Sequence, residues 1–288
     1  MSRTIIACFD DQARPDSAIG DYGAWAARQL GAPLCLMHVL EHQHIHHEDY
    51  SGQIGLGTRE QMLEKMTEEE GQAARRARED GRRMLEALKA RLGDDGLAPG
   101  TQQRHGTLEE ALAEHCTSDD LVVVGRSGYR HACGEGRGAM GEHVDTLVQQ
   151  LSVPMLIVPS DFRVPARAMV AFDGSDRGLE QLSVLIERGW LAGLETHVVH
   201  VGEPADEQHA SRGARLLQDA GINAQGVTLE GDAGRKLPAY AEEHDVDITI
   251  MGAYGHSSLR RWIKGSTTRK LLDAMTGAIL LMLSLIHI

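Results

Sequence analysis

The chain alternates short, continuously apolar runs with longer stretches in which apolar residues return every three or four positions. The runs include Ile6-Ala7-Cys8-Phe9, Leu36-Met37-His38-Val39, Leu121-Val-Val-Val124, Val198-Val199-His200-Val201 and Ile248-Thr-Ile-Met251. A run that is apolar at nearly every position, rather than at alternate ones, belongs to a strand covered on both faces, as central parallel strands are. The periodic stretches, Tyr22 to Leu30, Glu60 to Leu92, Leu108 to His115, Leu179 to Leu191 and Ala210 to Ala220, carry the spacing of helices with one apolar face. Strand and helix in alternation imply right-handed βαβ crossovers and a doubly wound parallel sheet with ligands at the carboxyl ends of its strands.

The pattern occurs twice. Ile6-Ala7-Cys8-Phe9-Asp10 matches Val170-Ala171-Phe172-Asp173, Leu36 to Val39 matches Val198 to Val201, and Asp120 to Gly128 matches Asp247 to Gly255. Each copy closes on a helical pattern and a further apolar run. Val144, Leu147, Val148 and Leu151 precede Pro154 to Val158; Thr268, Leu271, Leu272 and Met275 precede Ile279 to Met282. A repeat of this length fixes domain number and topology together. The expected fold class is therefore α/β, two tandem doubly wound, Rossmann-like domains, each with a mostly parallel sheet of about five strands. The expected boundaries are 1–160 and 166–288, with the proline-flanked stretch Val158 to Pro165 as linker. The first copy carries an insertion from Glu41 to about Gly100, with a long helix rich in Glu and Arg, expected as a solvated cover; the second has one short helix there.

Composition narrows the partners. A net charge of −13 over 288 residues disfavours nucleic acid and anionic membranes, so a polyanionic ligand must be gripped locally. The four cysteines form no CxxC pair and sit mostly in apolar runs, which points to reduced, buried thiols and a cytoplasmic setting. The first residues read as a strand rather than a signal peptide or membrane span.

The chemistry concentrates in the second copy. The strand ending at Met251 runs into Gly252-Ala-Tyr-Gly255, and nine residues later Gly265-Ser266 opens the closing helix, continuing through Thr267 and Thr268. Glycines permit close approach of backbone to a ligand, and a helix start presents free N–H groups and a hydroxyl at the positive end of the dipole, which suits phosphate. Asp173, ending the first strand of the same sheet, can accept hydrogen bonds from a base or ribose, and Val201 can wall the base. The spacing lacks the GxxxxGK[ST] of a P-loop, and no Ser-His-Asp order or paired carboxylates emerge.

These residues resemble the universal stress proteins, whose nucleotide-binding members carry Gly-x2-Gly-x9-Gly-Ser/Thr after the fourth strand. Gly252, Gly255, Gly265 and Ser266 fit that spacing, and the likeness runs over almost the whole chain twice. The resemblance implies a tandem member with the adenine nucleotide alpha hydrolase-like fold, acting in stress response. It implies ATP as ligand, with Mg as an accompanying ion and no redox cofactor. It further implies adenosine contacts from Asp173, Val201, Met251, Gly252 and Gly255, and phosphate contacts from Gly265, Ser266, Thr267 and Thr268. Pairing of the two domains through their final strands is implied too, with a homodimer and an unknown protein partner as further options.

The first copy departs from the motif. Gly125 and Gly128 are present, but aligning the closing helices places Glu142 where Ser266 stands, and counting nine residues instead reaches Gly138-Ala139. A carboxylate at a helix start satisfies the dipole and repels phosphate, so this site is expected to be degenerate. Arg126, Arg130 and Arg137 are expected to pair with nearby acids. The stretch Glu41 to Asp49, with four histidines, reads as a polar surface loop rather than a metal site, and His38 and His200 as structural. Two other functions stay open: slow ATP hydrolysis or group transfer at the same site, and a nucleotide-independent scaffold using the long helix.

Overall fold

The computed structural model describes residues 3–9, 14–40, 56–94, 96–126, 142–151, 153–203, 207–252 and 272–282. The first half contributes β1 (Ile5–Phe9), α1 (Ala18–Leu30), β2 (Leu34–Leu40), α2 (Leu56–Gly93), β3 (Gly100–His105), α3 (Leu108–His115), β4 (Leu121–Gly125), α4 (Glu142–Gln150) and β5 (Met155–Val158). The second contributes β6 (Arg167–Ala171), α5 (Asp176–Glu187), β7 (Glu195–Val201), α6 (Glu207–Asp219), β8 (Ala224–Leu229), α7 (Ala233–Glu243), β9 (Ile248–Gly252) and β10 (Ala278–Met282). The apolar runs are the central strands, buried at every position in β1, β2, β9 and β10.

The ten strands among the described residues form one sheet in the order β3-β2-β1-β4-β5-β10-β9-β6-β7-β8. Each half is parallel throughout and has the same internal order. The halves meet where β5 pairs antiparallel with β10, Leu156 opposite Leu280. Two continuous apolar layers cover the faces. One holds Trp25 and Leu88 of the first half with Leu182 and Trp190 of the second; the other holds Leu147 with Tyr240 and Ile279. Burial of these side chains, worth about 1.5–3 kcal/mol each, therefore binds the halves to one another as well as stabilising each.

Polar contacts close the seam. Arg126, only 6% exposed, follows β4 and donates through both Nη atoms to the backbone carbonyls of Met275 and Gly277, just before β10. The expectation that Arg126 pairs with an acid did not include this use: its fork satisfies orphan carbonyls beyond a helical turn at residues 272–274. Burial lowers its pKa and nearby Asp273 opposes that shift. At the other end of the strands, Arg3 Nη1 donates to Arg188 O (3.2 Å) and Arg188 Nη2 to Asp119 Oδ1 (2.9 Å), again joining the halves. A cleft of about 540 Å³ opens there, lined by these three residues and Glu187 among others.

The long helix α2 has the solvated face its charges imply, but its second half also buries Met84, Leu85, Leu88 and Leu92. Gly81 brings it close to the sheet, since a β-carbon there would collide with His38 and Gln103. The counterpart α6 covers β7 and β8 with only 13 residues. His197, buried within β7, ties α7 to the sheet. Its Nε2 lies 3.2 Å from Glu195 Oε1 and 2.6 Å from the Gln225 carboxamide, while the Tyr240 hydroxyl lies 2.9 Å from Nδ1. The hydrogen bond from His197, and then that from Arg167, hold the Glu195 carboxyl below the usual carboxylate range.

Two outcomes are expected. Arg126→Met leaves one buried and one half-buried carbonyl without their donor and should lower the unfolding free energy by about 2–4 kcal/mol, read from the urea midpoint; an unchanged midpoint contradicts the seam's importance. The depressed Glu195 pKa means its contribution is present above the unfolded-state pKa and lost as pH falls through the folded one. The Tm difference between wild type and Glu195→Gln should thus be present at neutral pH and shrink on acidification; a difference independent of pH contradicts this.

Candidate functional site

In the second half β6 is flanked by β9 on one side and β7 on the other. The chain first winds outward from β6 through β7 to β8, then crosses back to β9 and β10. Leu182 and Leu185 of α5, which follows β6, pack into one apolar layer, whereas Leu272 and Met275, which follow β9, pack into the other. The helical residues that follow β6 and those at 272–275 thus pack on opposite faces, which makes the carboxyl ends of β6 and β9 the switch point where doubly wound sheets bind ligands.

Asp173 stands at this switch point, two residues beyond β6 and exposed. Its Oδ1 accepts from Ser175 N (3.0 Å) and Ser175 Oγ (2.7 Å), and Ser175 Oγ accepts from Gly178 N (3.0 Å) as the cap of α5. The carboxylate is therefore braced by one oxygen against a helix start, and among the described residues no hydrogen bond engages Oδ2. Gly174, at φ +79°, makes the turn possible, and a β-carbon on it would come within 2.5 Å of His209 Nδ1. His200 Nδ1 lies 2.9 Å from Phe172 O, and its ring meets His209 edge-on with centroids 5.0 Å apart. Since a carbonyl only accepts, Nδ1 carries the proton, and His200 ties the end of β7 to that of β6.

On the other side of β6, Ala171 pairs with Met251, and Gly252 is the last residue of β9. Met251 is buried in the layer shared with α7, and half-buried Val201 packs against the same layer at the end of β7. Gly252 faces α5, where a β-carbon would collide with the Gln181 carboxamide. The structure thus brings Asp173, Met251 and Gly252 to adjacent strand ends, with Val201 one strand further out. Gly255, Gly265, Ser266, Thr267 and Thr268 lie outside the described residues.

The first half differs at the matching place. A β-carbon on Gly125 would lie 3.2 Å from Ile19 Cδ1, so an apolar side chain stands where Gln181 stands in the second half. Arg126 points away into the seam. The helix α4 begins at Glu142, while Asp10, Gly128, Arg130, Arg137 and Gly138–Gly141 lie outside the described residues. The repeat comparison missed Gln181 and Ile19, although aligning the helix caps Ser17 and Ser175, each followed three residues on by glycine, would have set Gly23 against Gln181.

Other chemistry is limited among the described residues. Burial raises the pKa of Cys8, Cys35 and Cys116, the last to about 12 with Asp120 adding to the shift, so none offers a thiolate at neutral pH. No group of three His, Cys, Asp or Glu gathers as a metal site, and no helix is long and apolar enough to cross a membrane, among the described residues. Cys133 and the histidine-rich stretch lie outside them.

Comparison with known proteins agrees with this architecture. The family model described as the universal stress protein family matches residues 1–159 and 205–281. The chain belongs to the universal stress protein family, as a tandem member. It is 27% identical over 278 residues to a universal stress protein of Synechocystis sp., covering 94% of this chain and 96% of that one. Among solved structures, a universal stress protein from Archaeoglobus fulgidus superposes with a TM-score of 0.61 at 18% identity, covering 98% of this chain and 96% of that one. A functionally unknown protein from Pseudomonas aeruginosa does so with a TM-score of 0.57 at 16% identity, covering 97% and 92%.

Gly174 offers a local test. Alanine there must adopt an unfavourable positive φ and displace His209, so Gly174→Ala should lower stability by about 1–3 kcal/mol and shift the His209 ring resonances. Unchanged melting and spectra would show that the turn is not held as described.

Proposed function

We propose that the protein binds an adenine nucleotide, with ATP as the ligand, in the second-half crevice, and that it serves as a regulatory or sensor protein in the stress response. The observation that carries this is the meeting of Asp173 and Gly252 at the switch point between β6 and β9, with Gly252 opening the Gly-x2-Gly-x9-Gly-Ser spacing in sequence. Asp173, braced by Ser175, accepts from the adenosine. Val201 and Met251 wall the base, Gly252 and Gly255 let the ligand approach the backbone, and Gly265, Ser266, Thr267 and Thr268 supply N–H groups and hydroxyls to the phosphates. A magnesium ion would accompany the phosphates. The domains are taken as 1–160 and 166–288, the first retained for pairing rather than for nucleotide, and the setting as cytoplasmic.

On this reading the nucleotide is bound rather than consumed. Slow hydrolysis is the enzymatic alternative. Wild-type protein should show a clear rise in Tm with millimolar ATP, following mass action, and Gly265→Asp and Ser266→Ala should abolish or reduce it. Absence of any shift, together with nucleotide-free protein after gentle purification, overturns the proposal. Turnover lost in both variants would favour the slow ATPase, whereas partner binding indifferent to Gly265→Asp would favour a scaffold.

A further inference from the structure

We infer that Gln181 is a ligand-binding residue of this crevice, hydrogen-bonding through its carboxamide to the sugar–phosphate part of the nucleotide; this rests on the nucleotide reading above. Gln181 lies on α5 in the second turn after the Ser175 cap, and its carboxamide sits against Gly252 at the end of β9. It therefore lies at the carboxyl ends of β6 and β9, beside the glycine that lets a ligand approach the backbone.

Its hydrogen-bonding state points to a ligand. Gln181 Nε2 is withdrawn from solvent and, among the described residues, has no hydrogen-bond partner. A buried amide retained to hold the fold together would be satisfied by the fold, since leaving a donor unpaired costs stability in the free protein. An amide kept for a ligand is unpaired until the ligand arrives. The carboxamide offers a donor and an acceptor side by side, matching hydroxyl and phosphate oxygens rather than an apolar surface. The first half supports the assignment by contrast. There the helix-cap alignment gives Gly23, and Ile19 covers Gly125, so the half whose motif lacks the phosphate-binding hydroxyl also lacks this amide.

The two roles for Gln181 predict opposite signs. Gln181→Met keeps the side-chain volume and removes the unpaired amide, so the unliganded Tm should stay the same or rise while ATP affinity falls about 5- to 10-fold by calorimetric titration. Gln181→Ala should likewise weaken ATP binding, and Gln181→Glu should weaken it more than either by placing a carboxylate near the phosphates. Adenosine, titrated in parallel, reports which part is touched: an equal loss places the contact on the sugar, and a loss confined to ATP on the phosphates. Variants that bind ATP like wild type overturn the inference, as does a lowered Tm in Gln181→Met with unchanged affinity. Wild-type protein that binds neither ATP nor adenosine overturns the nucleotide reading itself, and this is visible before any variant is made.

Discussion

The antiparallel pairing of β5 with β10 is the contact on which the rest of the molecule depends. A five-stranded parallel sheet of either half alone would leave the backbone of its last strand unpaired and one flank of its apolar faces open to water. Pairing two such edges removes both costs together and turns two sheets into one of ten strands. Both apolar layers then run across the junction, so the halves share their cores rather than touching through a polar interface. Arg126 belongs to the same constraint. A guanidinium is tolerated at 6% exposure because two backbone carbonyls at the start of β10 accept from it.

Once joined, the halves are no longer required to be equivalent, and the structure shows where they part. The residue after Gly125 is the seam arginine, while the residue after Gly252 is Ala253, which has no charge to offer. Ile19 fills the space over Gly125; the Gln181 carboxamide lies over Gly252. On the outer edges, α2 spans 38 residues and α6 only 13 over corresponding strands. The first half has thus put residues into packing at the place where the second keeps polar groups beside its crevice.

The expectations drawn from sequence fared according to the signal available. Strands β1, β4 and β9 were legible because burial on both faces forces continuous apolarity, and the periodic stretch Leu108 to His115 matches α3 at its observed limits, where Thr107 and Glu110 form a capping box. The third strand of each half was not legible. β3 reads Gly-Thr-Gln-Gln-Arg-His and lies at the sheet edge, where exposure removes the apolar signature. Helix α7 was also missed, its apolar face being short and interrupted by Pro238. At the site, Asp173 and Gly252 stood out because each ends an apolar run abruptly, while Gln181, one polar residue within a helix, gave no local signal.

By itself, then, the sequence determined the class of fold, the duplication and the residues that end the central strands, because these follow from burial patterns and from turn chemistry that act over a few positions. Only the tertiary structure decided that the two sheets are one, that Arg126 serves the seam by donating to backbone carbonyls, and that Gln181 rather than an apolar side chain overlies Gly252. Each of these depends on groups far apart in sequence meeting in space: Gln181 against Gly252, and Arg126 against Met275 and Gly277, 149 and 151 residues away. No local propensity encodes such a meeting; it follows from the strand order, which sets which ends lie side by side.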